Sequence, residues 1–319
     1  MEQQLTRIAV KIGSNVLTRR DGTLDVTRMS ALVDQVAELH KAGVEIILVS
    51  SGAVASGRSE IHPAKKLDSV DQRQLFSAVG QAKLINRYYE LFREHGIPVG
   101  QVLTMKENFA TRRHYLNQKN CMTVMLENGV IPIVNENDTI SVSELMFTDN
   151  DELSGLIASM MDAQVLIILS NIDGIYNGSP ADPASEVIRK IEHGKDLSSY
   201  IQTSKSSFGR GGMLTKTNIA RKVADEGITV IIANGKRDNI LVDLLHQELP
   251  SLFPDVQSSA LDSQLTYTRF IPAPQPVSSV KKWIAHSEGF AKGELHIDDC
   301  ATKVLASDKA VSILPIGIT

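Results

Sequence analysis

Five short segments of this sequence hold residue types that could manage a phosphate or a zwitterion. They are Lys11-Ile-Gly-Ser14, Ser51-Gly52, Asn135-Glu-Asn-Asp138, Asp149-Asn-Asp151 and Gly209-Arg-Gly-Gly-Met-Leu-Thr-Lys216. Lys11 follows the apolar run Ile8-Ala9-Val10. An ammonium at the end of a buried strand is costly unless it meets an anion at the sheet edge. The alternative is a side chain that snorkels out to solvent. Gly13 beside it lets a ligand approach the backbone. Ser51 and Gly52 repeat the arrangement after Ile46-Ile-Leu-Val49, where Ser51 could cap a helix. Asp149 and Asp151 suit a helix start, because carboxylates accept from free N–H groups and match the dipole. The same pair could hold lysines or magnesium. Asn135 to Asp138 is either a turn-forming tetrad or a set of acceptors for an ammonium group.

The glycines of residues 209–212 stand before a helical pattern that carries Lys216 in its first turn. Such a loop can cradle phosphate, or it can be plain flexible glycine. It is neither a Walker A loop nor a GxGxxG fingerprint. Charge is segregated along the chain. No Lys or Arg occurs between Asn120 and Ile188, and no Asp or Glu between Ser198 and Ala224. The first stretch could receive a cation and the second an anion, although charge runs taken singly are usually solvated faces.

The elements that must position these residues are short apolar runs alternating with longer helical patterns. The runs are Ile8–Val10, Ile46–Val49, Pro98–Leu103, Val130–Val134, Val165–Leu169 and Thr229–Ala233. Helical spacing joins Met29, Leu32, Val33, Val36 and Leu39, and also Leu75, Ala78, Val79, Ala82, Ile85, Tyr89 and Phe92. Strand–helix alternation with uninterrupted apolar strands predicts a three-layer α/β/α sandwich around a mostly parallel sheet. In such sheets ligands bind outside the carboxyl ends of the strands, where the Lys, Gly, Ser, Asn and Asp residues cluster. Residues 1–255 read as this domain. Residues 256–280, with Pro272, Pro274 and Pro276, read as a linker, and 281–319 as a small C-terminal piece.

Composition removes several functions. The 319 residues are 42% hydrophobic and 22% charged, which excludes a disordered chain or a coiled coil. A net charge of −4 and 5% aromatic content give no support to nucleic-acid binding. No membrane-length apolar stretch and no secretory leader are read from the sequence. Cys121 and Cys300 have no metal-ligand spacing and fit reduced thiols in a cytoplasmic protein.

Taken in order, the five segments resemble the amino-acid kinase family. The resemblance runs from Arg7 to about Leu245 and resumes at Thr268-Arg-Phe270 and Lys282-Trp-Ile284. Asn135–Asp138 together with Lys282-Trp283 favours the branch acting on L-glutamate over those acting on aspartate, acetylglutamate, carbamate or UMP. The resemblance implies ATP-dependent phosphorylation of the γ-carboxylate of L-glutamate to L-glutamyl 5-phosphate, the first step of proline biosynthesis, with Mg²⁺. It implies that Lys11 and Lys216 contact the transferring phosphoryl group and that Asp151, with Asp149, holds them. Ser51, Gly52, Asn135, Asp138 and Asn150 would bind the amino acid. Lys11, Gly13, Ser170, Asn171, Arg210, Gly211, Gly212, Met213, Leu214, Thr215 and Lys216 would bind ATP. No metal ligands are assigned. Asn171 stands where the family usually has Asp, and Arg210 where it has Thr. Proline inhibition and a homo-oligomer, dimer or tetramer, are also implied, and 281–319 would begin a β-rich PUA-like module. The alternatives are an acetylglutamate or aspartate kinase of the same family, or an RNA-binding regulatory protein.

Overall fold

The computed structural model describes residues 6–141, 147, 149–179, 182–195, 213–250, 265–275, 277–286 and 296–305. Its strands are β1 (Arg7–Ile12), β2 (Glu45–Ser50), β3 (Val99–Thr104), β4 (Ile131–Glu136), β5 (Val165–Ser170), β6 (Lys190–Ile191), β7 (Thr229–Asn234) and β8 (Tyr267–Phe270). They form one sheet in the order β3-β4-β2-β1-β5-β7-β8-β6. Every neighbouring pair is parallel except β7 with β8. The chain moves outward from β1 in both directions, so the switch point lies at the carboxyl end of β1, beside those of β2 and β5.

Helices cover both faces. On one side lie α2 (Val26–Lys41), α4 (Ser69–Glu94) and α9 (Ile240–Glu248), packed on Ile8, Val10, Ile46 and Leu48. On the other lie α6 (Arg112–Glu127), α7 (Asn150–Met160) and α8 (Met213–Asp225), packed on Ala9, Ile47, Val49, Leu166 and Ile168. Successive strand residues point to opposite faces, and both sets are apolar because both faces are covered. This is the three-layer sandwich expected from the alternation. The remaining helices are α1 (Ser14–Leu17), α3 (Ala53–Arg58), α5 (Glu107–Ala110), α10 (Ser279–Ala285) and α11 (Asp299–Leu305).

Several expectations need correction. The reading of 256–280 as a linker does not hold at Tyr267–Phe270, which is β8 and pairs with β7 from Val230↔Phe270 to Ala233↔Tyr267. Of 281–319, only 281–286 and 296–305 are described; they include α10 and α11, and the β-rich expectation falls mostly on residues outside the described ones. The start of that piece, α10, packs on the sheet domain. Trp283 Nε1 donates to the Phe109 carbonyl at 2.9 Å, Lys282 Nζ meets Asp162 Oδ1 at 3.0 Å, and His286 Nε2 meets Glu226 Oε1 at 2.7 Å. Lys11 lies within β1 rather than after it. Gly52, not Ser51, caps α3; its φ of +108° is a left-handed conformation that glycine adopts without a Cβ penalty.

The largest packing correction concerns α4. Its buried residues are Phe76, Ser77, Gly80, Leu84, Tyr88 and Phe92, so the buried face is turned by about one residue from the apolar pattern, and Tyr89 is exposed. The cause is a backbone-to-backbone contact with α3. A Cβ on Gly80 would stand 1.8 Å from the Ala53 carbonyl oxygen, and one on Gly57 would stand 1.8 Å from that of Phe76. Two glycines thus let the helices touch, which leaves no side chain between them. Gly80→Ala must push α3 and α4 apart and is expected to cost about 1–3 kcal/mol or more. Urea unfolding with an unchanged midpoint would show that this contact does not contribute to stability.

Candidate active site

The carboxyl ends of β1, β2, β4 and β5 converge with the amino ends of α7 and α8. Asp149 caps α7, accepting from the backbone N–H of Asp151 at 2.9 Å and of Glu152 at 3.1 Å. That start places Asp151, fully buried, between two cations. Its Oδ1 is 2.6 Å from Lys11 Nζ and its Oδ2 is 2.6 Å from Lys216 Nζ. Lys11 comes from the central strand and Lys216 from the first turn of α8. One carboxylate therefore fixes the separation of two ammonium groups brought from distant parts of the chain. Burial by itself would raise the Asp151 pKa; Lys11 and Lys216 outweigh that and hold it below the ordinary aspartate range. Asp149 moves the other way. Burial, and then repulsion from Asp151, pushes its carboxyl up, and its buried Oδ2 has no hydrogen-bond partner among the described residues.

Gly13 supplies room beside the lysine. Its N–H donates to the Leu169 carbonyl at 3.1 Å, and a Cβ there would lie 3.1 Å from that oxygen and 3.3 Å from Lys11 Nζ. Two clustered ammonium groups with close access to backbone suit a polyanion such as a phosphate chain. Ser170 ends β5 at the same edge, followed by Asn171; the Ser170 Oγ is 3.5 Å from Asn171 Oδ1. Met213, Leu214 and Thr215 form the first turn of α8, with Leu214 exposed. Arg210, Gly211, Gly212 and Thr148 lie outside the described residues.

A second cluster adjoins the first. Asn150 Nδ2 donates to Ser51 Oγ at 2.8 Å and to Asn135 Oδ1 at 3.1 Å, and lies 3.5 Å from the Ser50 carbonyl oxygen. Asp138 Oδ1 accepts from Arg73 Nε at 2.6 Å, and Arg73 Nη2 lies 2.7 Å from Glu136 Oε2. Glu136 Oε1 also accepts from Ser141 Oγ at 2.8 Å and from the Phe147 N–H at 3.0 Å. Burial raises the Glu136 pKa; those two donors and Arg73 lower it, Asp138 raises it further, and the net shift is upward.

All of the predicted substrate-side residues, Ser51, Gly52, Asn135, Asp138 and Asn150, therefore share one edge with the lysine pair. Arg73 and Gln81, both from α4, reach it as well, although the apolar spacing of that helix does not point to them. Asn135 Nδ2 donates to Gln81 Oε1 at 2.8 Å. Their signal is a polar series at 73, 77 and 81 that continues into the buried Tyr88, whose hydroxyl is 2.8 Å from Ser50 Oγ. The apolar pattern on the neighbouring face of α4 masked it.

The profile of the amino acid kinase family matches residues 6–234, which include both clusters. The chain belongs to the amino acid kinase family. Within that family it is 84% identical to the glutamate 5-kinase of Bacteroides thetaiotaomicron over all 319 residues, covering 85% of that protein. It is 46% identical to the glutamate 5-kinase of Chlorobaculum tepidum, covering 98% of this chain and 82% of the relative. Solved structures show the same fold at low identity. The UMP kinase of Ureaplasma parvum aligns over 84% of this chain and 100% of its own, with a TM-score of 0.53 at 14% identity. An isopentenyl phosphate kinase of T. acidophilum aligns over 83% of this chain and 100% of its own, with a TM-score of 0.55 at 14% identity.

Proposed function

We propose that this protein transfers the γ-phosphoryl group of ATP to the γ-carboxylate of L-glutamate, giving L-glutamyl 5-phosphate and ADP. The observation that carries the reading is Asp151 bridging Lys11 and Lys216 at 2.6 Å each, beside a polar cluster of Ser51, Asn135, Asn150 and Asp138. The full-length similarity to glutamate 5-kinases supports it.

The chemistry follows from charge. A γ-carboxylate with a reference pKa of about 4.3 is already ionised, so the acceptor needs no general base. Rate then depends on in-line placement and on neutralising charge as it moves to the leaving oxygen. Lys11 and Lys216 meet that demand, and Asp151 holds the two mutually repelling ammonium groups together and oriented. ATP would lie over Gly13, Ser170, Asn171 and the segment from Arg210 to Lys216. No group of three or more His, Cys, Asp or Glu that could hold a metal occurs among the described residues. Mg²⁺ is usually held by one or two carboxylates together with substrate phosphates. Asp149, with its spare Oδ2, is the carboxylate placed to assist.

On the amino-acid side, Glu136, Asp138 and Arg73 together carry one negative charge, suited to an ammonium group. This favours glutamate over acetylglutamate, whose amide nitrogen is neutral. The reading also carries proline biosynthesis as the pathway, inhibition by proline, a homo-oligomeric state and a cytoplasmic location. No helix among the described residues is long and apolar enough to cross a membrane. ADP release measured with glutamate, aspartate, acetylglutamate and UMP tests the substrate assignment. Turnover greatest with any acceptor other than glutamate would overturn it.

Arg73 gives a pH prediction. Its charge lowers the pKa of Glu136, which burial raises. Arg73→Gln lets that pKa climb further, so Glu136 protonates at higher pH and the site loses negative charge sooner on acidification. The acid limb of kcat/KM for glutamate is expected to move to higher pH in the variant. An unmoved acid limb would uncouple Glu136 from substrate binding.

A further inference from the structure

The amide groups of this site form a relay with a single direction. The Ser50 carbonyl at the end of β2 lies 3.5 Å from the Asn150 amide and would repel its oxygen, so Asn150 turns Nδ2 to that side and directs its two N–H groups to Ser51 Oγ and Asn135 Oδ1. Asn135 must then present Oδ1 to Asn150, which leaves its Nδ2 facing α4. Asn135 is 2% exposed, so that N–H group needs an acceptor. Gln81 Oε1 provides one at 2.8 Å. With the relay closed, Ser51 Oγ accepts from Asn150, and its own proton is left to donate. Asn150 Oδ1, which accepts no hydrogen bond among the described residues, is left to accept.

We infer that Gln81 is a positioning residue that sets this donor and acceptor pattern for the amino-acid substrate, an inference that rests on the function proposed above. Ser51 O–H donates to a carboxylate oxygen of the substrate. Asn150 Oδ1 accepts from its ammonium group, alongside Asp138. Gln81 touches neither. What it supplies is an acceptor, so a glutamate at position 81 serves equally well and an apolar side chain does not. Without the acceptor, Asn135 gains by rotating its amide away from Asn150, and the pattern presented to substrate is scrambled.

The test compares Gln81→Met, which keeps the length of the side chain but offers no comparable acceptor, with Gln81→Glu, which keeps the acceptor. Gln81→Met is expected to raise the KM for glutamate about tenfold, with kcat and the KM for ATP within about threefold of wild type, and Gln81→Glu to stay within about threefold throughout. Equal impairment of both variants, or an unchanged glutamate KM in Gln81→Met, would overturn the inference. Circular dichroism checks folding, and Gln81→Ala carries the same comparison if the methionine variant does not fold. Wild-type enzyme is assayed alongside: a wild type inactive on glutamate refutes the proposed function, not the relay. The relay is read separately from the Asn135 side-chain amide protons by NMR with asparagine-selective labelling. Slow exchange in wild type and Gln81→Glu but fast exchange in Gln81→Met supports it, and equal exchange in all three contradicts it.

Discussion

Lys11→Ala and Lys216→Ala are each expected to lower kcat by about 10²–10³-fold or more, the usual effect of removing one preorganised charge or donor from a transition state. The two lysines share one carboxylate. Each ammonium lies 2.6 Å from a different oxygen of Asp151, so neither lysine substitutes for the other. Lys216 enters from α8 and Lys11 from β1, and deleting one leaves the second in place with an unshared counter-ion. Asp151 keeps a partner in either variant, so the fold survives and the loss falls on the chemical step. The KM for glutamate should change far less than kcat. Steady-state kinetics with both substrates reads the split, and near-normal turnover in either variant would remove that lysine from the mechanism.

The second large effect is on Asp151 itself. Asp151→Asn keeps the shape but leaves two largely buried ammonium groups facing each other without a counter-ion. Breaking a buried pair in this way costs roughly 3–5 kcal/mol, and kcat should fall with it because the lysines move apart. The native enzyme carries the same dependence on protonation. Because Lys11 and Lys216 hold the Asp151 pKa below its ordinary value, the folded carboxylate binds its proton less readily than the unfolded one. Its contribution to stability is therefore present above the ordinary aspartate range and is lost as pH falls through the depressed value. Asp151→Asn should lose this part of the acid dependence. A variant as stable as wild type at neutral pH would show that the bridge does not hold the site together.

Much of this was legible in the sequence for physical reasons. Strands covered on both faces must be apolar at every position, so β1, β2, β4, β5 and β7 announce themselves as short continuous runs. Polar residues then appear where the runs stop, and the site collects there. Lys11 was legible because an ammonium beside Val10 demands an anion, and the anion is Asp151. What failed did so for equally physical reasons. β8 is four residues long, mixes Thr268 and Arg269 with aromatics, and is held by antiparallel pairing with β7 rather than by an apolar run of its own. The proline-rich segment after it gives the whole stretch the texture of a linker. On α4 the hydrophobic count alone chose the wrong face, because Gly80 buries backbone where the pattern sought side chains. Arg73 and Gln81 were lost with that rotation.

If the lysine pair delivers a phosphoryl group to a carboxylate, the product is an acyl phosphate. The most direct measurement adds hydroxylamine to enzyme, MgATP and L-glutamate and follows γ-glutamyl hydroxamate together with ADP. An acyl phosphate is trapped by hydroxylamine, so the two products should appear in equal amounts, and both should be lost in Lys216→Ala. ADP formed without hydroxamate, or hydroxamate formed at an undiminished rate in that variant, would contradict it.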